Sequence, residues 1–378
     1  MTAIVRARTP ADLLVLLPYQ LGYHPLRSVV VVMLHGRRLG LVQRLDLTRG
    51  EEISRAAADV LLDVAERERP DSIVVAGFED HEGDSDDLRA AVVREAGRRG
   101  VRVAEHLLVR DGRWYAPDCD EACCPTGGEP LPAPDGVPGV AEYVRRGIAP
   151  LPSRDHVLES LVPIQEAESA AATAAALARR HDQPGWPSPV STTRVWRTIL
   201  DLDPAARPVT ALPPEAVAVA LASLRQIGWR DALLGVLCPG AVPTEALEQD
   251  AVSRAREAAA ACPWVQAEPP PEVGDQPGVR AAGQPGVRAA GDDLAMVLRH
   301  RLADLLRLTP EAESAPLLTV LAHVAWWQGD GTVAGACLDE ALAVEPEHRL
   351  AGLMLRLLQH GLRPPGWSGA PTGTDEGG

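Results

Sequence analysis

The 378-residue sequence contains no lysine and no asparagine, and phenylalanine occurs once. A Walker A loop, a pyridoxal Schiff base, a kinase phosphate lysine and a Ser/Lys dyad each need a lysine ammonium group, so none of these sites can form. The motifs G-x-S-x-G, H-E-x-x-H and G-x-G-x-x-G are also absent. The sequence therefore lacks the easiest signs of a hydrolase, a zinc protease or a dinucleotide-binding enzyme.

Acidic residues outnumber basic ones by 52 to 37, which gives a formal net charge of −15. This balance opposes binding to nucleic acid, because a polyanion needs a basic surface. No apolar run approaches the roughly 18 residues that span a bilayer, and the N-terminus lacks a signal-peptide pattern, so we expect no membrane partner. Six cysteines in so long a chain form no disulfide framework. We expect a cytoplasmic protein with reduced thiols.

Valine-rich runs in the first third predict strands that are buried on both faces, because their apolar residues are continuous rather than alternating. Helical periodicity separates these runs, and a capping pattern at Thr9 predicts an additional helix at the start. We therefore predict an α/β N-terminal domain over 1–125, a mixed sheet with packed helices. Its predicted strands are 28–34, 39–47, 72–78, 101–109 and 113–116, and its later helices are 51–69 and 86–99.

After residue 125 the composition changes. Prolines and glycines indicate a connector over 126–152, and alanine-rich helical periodicity then predicts a helical region over 153–265. The octapeptide QPGVRAAG occurs at 276–283 and recurs at 284–291. An identical short copy in a Pro/Gly-rich stretch is typical of a linker that grew by duplication, so we interpret 266–291 as flexible.

The C-terminal stretch has the spacing of one tetratricopeptide repeat. Gly329 and Asp330 precede small residues at helical spacing, and Pro346 would end the second helix. We therefore predict an all-α C-terminal region over 292–365 that contains a tetratricopeptide-like helix pair, followed by a disordered tail at 366–378. At least one residue of the pair Trp326 and Trp327 should pack inward, because neighbours on a helix point about 100° apart.

Three stretches in this order resemble one family. They are RTPADLLVLLPYQLGYHPLRSVVVVML with QRLDL, then DCDEACCPTGGEPL, and finally AWWQGDGTVAGACLDEALAVEPEHRLAGLMLRLLQHGL. The sequence is similar to domain-of-unknown-function family 4192, an actinobacterial group, over nearly the entire chain. The resemblance implies a cytosolic location and helical C-terminal packing, and it implies no reaction. Arg27 stands where the family pattern often has an acidic residue, and the linker is an insertion relative to that pattern.

The first candidate site lies between the first helix and the first strand. Ligands of open α/β sheets sit at strand ends, where aromatic rings, an imidazole and the anion-binding guanidinium of Arg27 would be available. The candidate ligand-binding residues here are Tyr19, Tyr23, His24 and Ser28. The alternative is turn chemistry, with the rings capping the edge of the sheet. Arg44 and Asp46 project from one face of a strand, and they either clamp a polar ligand or form an ion pair.

The acidic stretch FEDHEGDSDD follows the strand predicted at 72–78. Its carboxylates could hold magnesium or calcium, although the spacing is not that of an EF-hand. The alternative is a solvated helix start, with Asp84 or Ser85 as the N-cap and Asp86 and Asp87 in the first turn.

Cys119, Cys123 and Cys124 form a C-x3-C-C cluster that suits zinc, redox chemistry or simple packing. A fourth metal ligand would have to come from another residue, of which the candidates are His106, Asp118, His156 and Cys238. The sequence identifies no cofactor, and zinc is the metal that this cluster leaves open.

No catalytic residue can be assigned from the sequence. We therefore expect a ligand- or protein-binding module, with a small molecule or a protein as partner and an oligomeric state that the sequence does not determine. The alternative is an enzyme without a recognised motif, either a metal-assisted hydrolase that uses the carboxylates around Asp80 or a small-molecule transferase. An enzyme should gather these polar side chains around one pocket.

Overall fold

The computed structural model describes residues 7–36, 38–119, 127–145, 148–162, 166–180, 183–265 and 285–364, with the backbone alone for 285–293. The chain divides into two compact units, which are mainly Met1–Val157 and Leu158–Leu358. Each unit is described by itself.

The first unit contains a mixed sheet of six strands in the order β2-β1-β3-β4-β5-β6. β1 is antiparallel to β2 and to β3, whereas β3 and β4 are parallel, and the last three strands are joined antiparallel. This confirms the predicted mixed sheet, to which the structure adds the short β6. The strands are β1 Ser28–His35, β2 Arg38–Asp46, β3 Ser72–Phe78, β4 Val103–Arg110, β5 Arg113–Tyr115 and β6 Glu129–Pro130.

Among the described residues of the first unit there are four α-helices: α1 Pro10–Leu21, α2 Glu51–Glu68, α3 Asp86–Arg98 and α4 Pro138–Arg145. Helices α2 and α3 cover one face of the sheet and share a core with Val29, Val31 and Val75. Strand side chains alternate between faces, so Val30 and Val32 project from the other face. Helix α4 lies within the segment 126–152 and packs its Val140 and Tyr143 with residues of α1.

Helix α1 begins as its sequence predicts. The Thr9 hydroxyl accepts a hydrogen bond from the Asp12 amide at 3.1 Å, and Gly22 ends the helix in the left-handed conformation with φ +81°. Pro18 lies inside the helix. Because proline has no backbone N–H, the helix lacks one backbone hydrogen bond within this buried apolar segment.

The second unit is helical throughout its described residues, as predicted. Its helices are α5 His156–Leu161 (which begins in the first unit), α6 Ala167–Arg180, α7 Pro189–Ile199, α8 Pro214–Leu224, α9 Ile227–Leu237, α10 Gln249–Ala258, α11 Pro285–Arg307, α12 Ala315–Trp327, α13 Gly331–Val344 and α14 Arg349–Gln359. One large apolar core extends through these helices and contains the fully buried Trp196. Trp326 is buried and donates its indole N–H to the Leu362 carbonyl at 2.9 Å, which confirms that one tryptophan of the pair packs inward.

The predicted helix pair around Gly329 and Asp330 corresponds to α12 and α13. Gly329 turns the chain with φ +85°, and the Asp330 carboxylate caps α13 by accepting from the Val333 amide at 3.0 Å. The small residues Ala334 and Ala341 are fully buried. The spacing recognised in the sequence is therefore used for close helix packing.

Helix α11 begins at Pro285, so residues 285–291 of the second octapeptide copy are helical, whereas the sequence placed them in the flexible segment 266–291. The first copy at 276–283 and the predicted tail at 366–378 lie outside the described residues. Within the part of the chain that the structure describes, no helix is long and apolar enough to cross a bilayer.

Candidate functional site

The candidate sites meet at one edge of the sheet, where β1 begins and β2, β3 and β4 end. Ser28 pairs with Asp46 on one side and with Phe78 on the other, and Phe78 pairs with Val109. We call this the strand-end edge. It is the edge at which parallel strands present their carboxyl ends, where ligands of α/β proteins commonly bind.

Arg44 is held at the strand-end edge on the face opposite to α2 and α3, since it pairs with Val30. Its guanidinium lies 5.9 Å from the centre of the Tyr23 ring, and its Nη2 donates to the Leu26 carbonyl at 3.2 Å. The same Nη2 lies 2.7 Å from Oδ1 of Asp46, and Oδ2 of Asp46 lies 3.8 Å from Arg154. We call Tyr23, Arg44, Asp46 and Arg154 the Arg44 cluster.

Of the two alternatives that the sequence left for Arg44 and Asp46, the ion pair is present. The Asp46 side chain is nevertheless 68% exposed, whereas that of Arg44 is 11% exposed. The arginine is therefore fixed by the fold, and its carboxylate partner faces solvent. Such an exposed partner adds little to stability.

The other residues of the first candidate site have different surroundings. Ser28 is fully buried and donates its hydroxyl to the Pro25 carbonyl at 3.0 Å, so it closes the turn before β1. Tyr19 packs on Tyr143, with ring centres 5.6 Å apart. His24 is exposed on the turn, and its backbone N–H donates to the Leu151 carbonyl at 3.0 Å.

A second charged cluster lies at the strand-end edge on the side of α3. The buried carboxylate of Glu79 accepts from the amide of Ser85 at 2.8 Å and from its hydroxyl at 2.5 Å. Arg89, also buried, donates from Nε to the Ser85 hydroxyl at 2.7 Å, and Arg110 reaches the second oxygen of Glu79 at 3.4 Å. We call these four residues the Glu79 cluster.

The Glu79 cluster occupies the amino-terminal end of α3, where N–H groups and the helix dipole attract an anion. In many α/β proteins this position binds a ligand phosphate. Here the carboxylate of Glu79 occupies this position and accepts the Ser85 amide. The protein therefore supplies its own anion at this end of α3.

His106 connects the Glu79 cluster to the segment after β5. Its Nε2 lies 2.7 Å from Arg89 Nη1, and its Nδ1 lies 2.8 Å from Oδ2 of Asp118. A guanidinium can only donate, so Nε2 accepts and the ring proton sits on Nδ1, from which it is donated to Asp118. Both ring nitrogens of His106 are thus engaged by neighbouring side chains.

These contacts bear on the candidate metal sites. Cys119 is half-buried, while Cys123 and Cys124 lie outside the described residues. His106 has no nitrogen left for a metal, and burial raises the pKa of the Cys238 thiol, which donates to the His323 carbonyl. Within the described part of the chain, no group of three His, Cys, Asp or Glu side chains could hold a metal ion.

The acidic stretch after β3 divides into a buried and a solvated part. Asp80, His81 and Glu82 are exposed, and Asp84 accepts from the His81 amide at 3.2 Å. Ser85 precedes α3 as the N-cap residue, although its hydroxyl contacts Glu79 and Arg89 instead of capping the helix. The stretch therefore starts a helix, as one of the two alternatives predicted.

Sequence reasoning missed three arginines of these clusters. Arg89 has a weak local signal, because it lies one helical turn after Ser85 and can reach back to it. Arg110 ends a strand and Arg154 lies in the segment before α5, and neither position carries a local sign of its partner. Their contacts to Glu79 and Asp46 span 31 residues and more than 100 residues respectively.

The described residues thus form a mixed α/β unit, which carries charged side chains at its strand-end edge, and an all-helical unit. The chain belongs to the family described as domain of unknown function (DUF4192), whose profile matches residues 10–267 and 287–365. The unmatched residues between these two ranges fall within the segment 266–291, which contains the duplicated octapeptide. No curated protein and no solved structure matches the chain.

Proposed function

We propose that this protein is a ligand-binding module whose site is the Arg44 cluster. The observation that carries the proposal is the fixed guanidinium of Arg44, which is held by the Tyr23 ring and the Leu26 carbonyl and faces an exposed carboxylate. A binding site needs charged groups that are positioned before the ligand arrives, because this lowers the entropy lost on binding.

The groups that could perform chemistry at the strand-end edge are engaged in the structure. The Ser28 hydroxyl is buried and donates to a carbonyl, the His106 nitrogens contact Arg89 and Asp118, and the Glu79 carboxylate is held by arginines and Ser85. A general base or nucleophile must instead be able to reach a substrate atom. These contacts favour binding over a hydrolase or transferase reaction.

The experiment is native mass spectrometry of the full chain after purification from its own cell extract. We expect a bound molecule on the unmodified protein that is lost in the variant Arg44→Met. Arg179→Met is the matched control, because Arg179 also forms one ion pair, with Glu215, but both side chains are exposed. Retention of every bound species by Arg44→Met would contradict the proposal. A protein retained by both variants would place the partner elsewhere on the chain.

We also infer a cytoplasmic location and an actinobacterial origin. The free cysteines of the described chain support a reducing compartment, since Cys238, Cys262 and Cys337 are buried thiols. The lack of lysine and asparagine supports an origin in a genome that avoids A/T-rich codons. Cell fractionation with an antibody to the protein tests the location, and recovery in the membrane or secreted fraction would contradict it.

A further inference from the structure

We propose that the ligand of the Arg44 cluster carries an oxyanion, a carboxylate or a phosphate, that replaces the Asp46 carboxylate between Arg44 and Arg154. This inference rests on the proposed function and specifies its ligand. Asp46 would then be an internal substitute that occupies the position when the ligand is absent.

The geometry of Asp46 is that of a bound oxyanion. One carboxylate oxygen lies 2.7 Å from Arg44 and the other lies 3.8 Å from Arg154, so each oxygen faces a different guanidinium. Planar guanidinium groups present paired donors that fit carboxylate and phosphate oxygens. A ligand oxyanion placed between the two arginines would make the same contacts.

Asp46 can leave this position at low cost. It is the last residue of β2 and its side chain is 68% exposed, so its carboxylate can turn toward water. Exposed ion pairs contribute at most about 1 kcal/mol to stability. An incoming dianion has more charge and more oxygens than Asp46, and it should therefore compete for the arginines successfully.

Arg44 stays in place when its partner changes. Its side chain is 11% exposed, it lies over the Tyr23 ring, and its Nε is buried with no hydrogen-bond partner among the described residues. A buried guanidinium that keeps an unused donor is stabilised by any acceptor that reaches it. The fold thus holds this positive charge ready for an anion.

The surrounding charge has the sign that an anion requires. Arg27 immediately precedes β1, is exposed, and accepts the Leu47 amide on its backbone carbonyl at 3.2 Å, next to Asp46. Arg44 and Arg154 place two positive charges against the Asp46 carboxylate, in a chain whose net charge is −15. A local reversal of sign steers anions to the place where it occurs.

The aromatic ring of this site favours a small headgroup rather than a nucleobase. Tyr23 is 4% exposed and Arg44 covers its face, so the ring supports the arginine and has no free face for stacking. Recognition then depends on charge and hydrogen bonds alone. The oxyanion can be that of a phosphate ester or of a carboxylic acid, and the two sources are separated by the probes used.

The test is isothermal titration calorimetry of the full chain with inorganic phosphate and, separately, with succinate, at constant ionic strength in chloride. Asp46→Asn keeps the shape of the side chain and removes the competing charge. We expect it to bind one probe about tenfold more tightly than the unmodified protein does, a change of about 1.4 kcal/mol. Phosphate selectivity would identify a phosphate ligand, and succinate selectivity a carboxylate.

The matched controls decide whether this effect belongs to the site. Glu215→Gln removes the carboxylate of another exposed arginine pair and should leave binding of both probes unchanged. Arg154→Met in the Asp46→Asn background should abolish the gain. Equal binding by Asp46→Asn and Glu215→Gln would overturn the oxyanion inference. The proposed function would survive that result if a molecule seen in native mass spectrometry still depended on Arg44, and would fall if none did.

Discussion

The side chain of Arg89 occupies the space that a side chain on Gly77 would need. A Cβ atom on Gly77 would lie 2.5 Å from Cδ of Arg89 and 2.5 Å from Oγ of Ser85. Gly77 is the second-last residue of β3, and Arg89 passes over it to reach Glu79 and His106. Glycine at this position is therefore required by close approach of α3 to the sheet.

Gly77→Ala should destabilise the protein by about 1–3 kcal/mol, because the added methyl group forces a buried arginine and its hydrogen bonds to move. The midpoint of urea unfolding measures the change. Gly97→Ala in α3 is the control, since a Cβ there meets no atom within 4 Å. That variant should gain up to about 1 kcal/mol from its helix propensity. Equal effects of the two substitutions would show that Arg89 does not need the space.

Glu79→Ala should destabilise the protein by about 3 kcal/mol, because Arg89 and Arg110 lose their buried carboxylate and Arg89 keeps the exposed Asp86 as its ion-pair partner. Added acetate or formate should then raise the melting temperature of this variant more than that of the unmodified protein, since the vacated end of α3 attracts a small anion. Chloride at equal ionic strength is the reference. Glu82→Ala, whose side chain is 87% exposed, should change stability by less than about 1 kcal/mol. Equal acetate effects on Glu79→Ala and the unmodified protein would contradict the assignment.

Arg301 provides a stability test within the helical unit. Its buried guanidinium donates to the carbonyls of Thr198, Ile199 and Arg207 at 2.7, 2.7 and 3.0 Å, and it thereby satisfies the last carbonyls of α7. Arg301→Met should cost about 3 kcal/mol in urea unfolding, because buried acceptors lose their donors. Arg197→Met on α7 removes an exposed ion pair and should cost less than about 1 kcal/mol. A loss no greater than that of the control would show that water replaces Arg301.

His323 should make the helical unit sensitive to acid. Its ring is 4% exposed, both nitrogens lack a hydrogen-bond partner among the described residues, and burial lowers its pKa to about 4, against an opposing effect of Asp231. The unfolded chain binds a proton near pH 6.5, whereas the folded chain resists protonation down to about pH 4. The stability that His323 contributes is therefore complete above pH 6.5 and is lost as the pH falls toward 4.

Urea unfolding at several pH values measures this loss. Between pH 7 and pH 4 the unmodified protein should lose about 3 kcal/mol more than His323→Leu, which cannot titrate. Burial also lowers the pKa of His348, so part of the acid sensitivity should remain in the variant. His300→Gln is the control, because His300 is exposed on α11. Parallel pH curves for the unmodified protein and His323→Leu would contradict this prediction.

Deletion of residues 276–283 should leave the melting temperature unchanged. The two octapeptide copies are identical, so QPGVRAAG still precedes Asp292 and the start of α11 keeps its sequence. The family profile does not include residues 268–286, which agrees with an insertion that the fold does not need. Differential scanning calorimetry tests this, and a clear fall in the melting temperature would show that the duplicated segment contributes to packing.

Much of the fold was predictable because its signals are local. The continuous apolar residues of β1 and β3 identified strands that are covered on both faces, and β3 has the predicted bounds. The N-cap at Thr9 and the left-handed turn at Gly22 follow from residue type alone. Helix α4 was not predicted, because its short apolar face is visible only once α1 packs against it.

The candidate sites were predictable in location but not in arrangement. The ion pair of Arg44 with Asp46 follows from their spacing on one strand, and the exposed acidic stretch follows from its place before α3. The contact of Arg154 with Asp46 and the contacts of Glu79 with Arg89 and Arg110 could not be predicted from the sequence. These contacts join residues that are distant in the sequence, and the packing of α3 and of the later segment against the sheet brings them together.

The amino-acid sequence by itself determined which segments are strands and helices and which chemistries are excluded, since these depend on residue type and on short-range periodicity. It also determined that charge would collect where strands end and helices begin. The tertiary structure alone decided which of those charges are buried and which face solvent. The outcome depends on long-range packing, which buries Glu79 against Arg89 and Arg110 and leaves Asp46 exposed between Arg44 and Arg154.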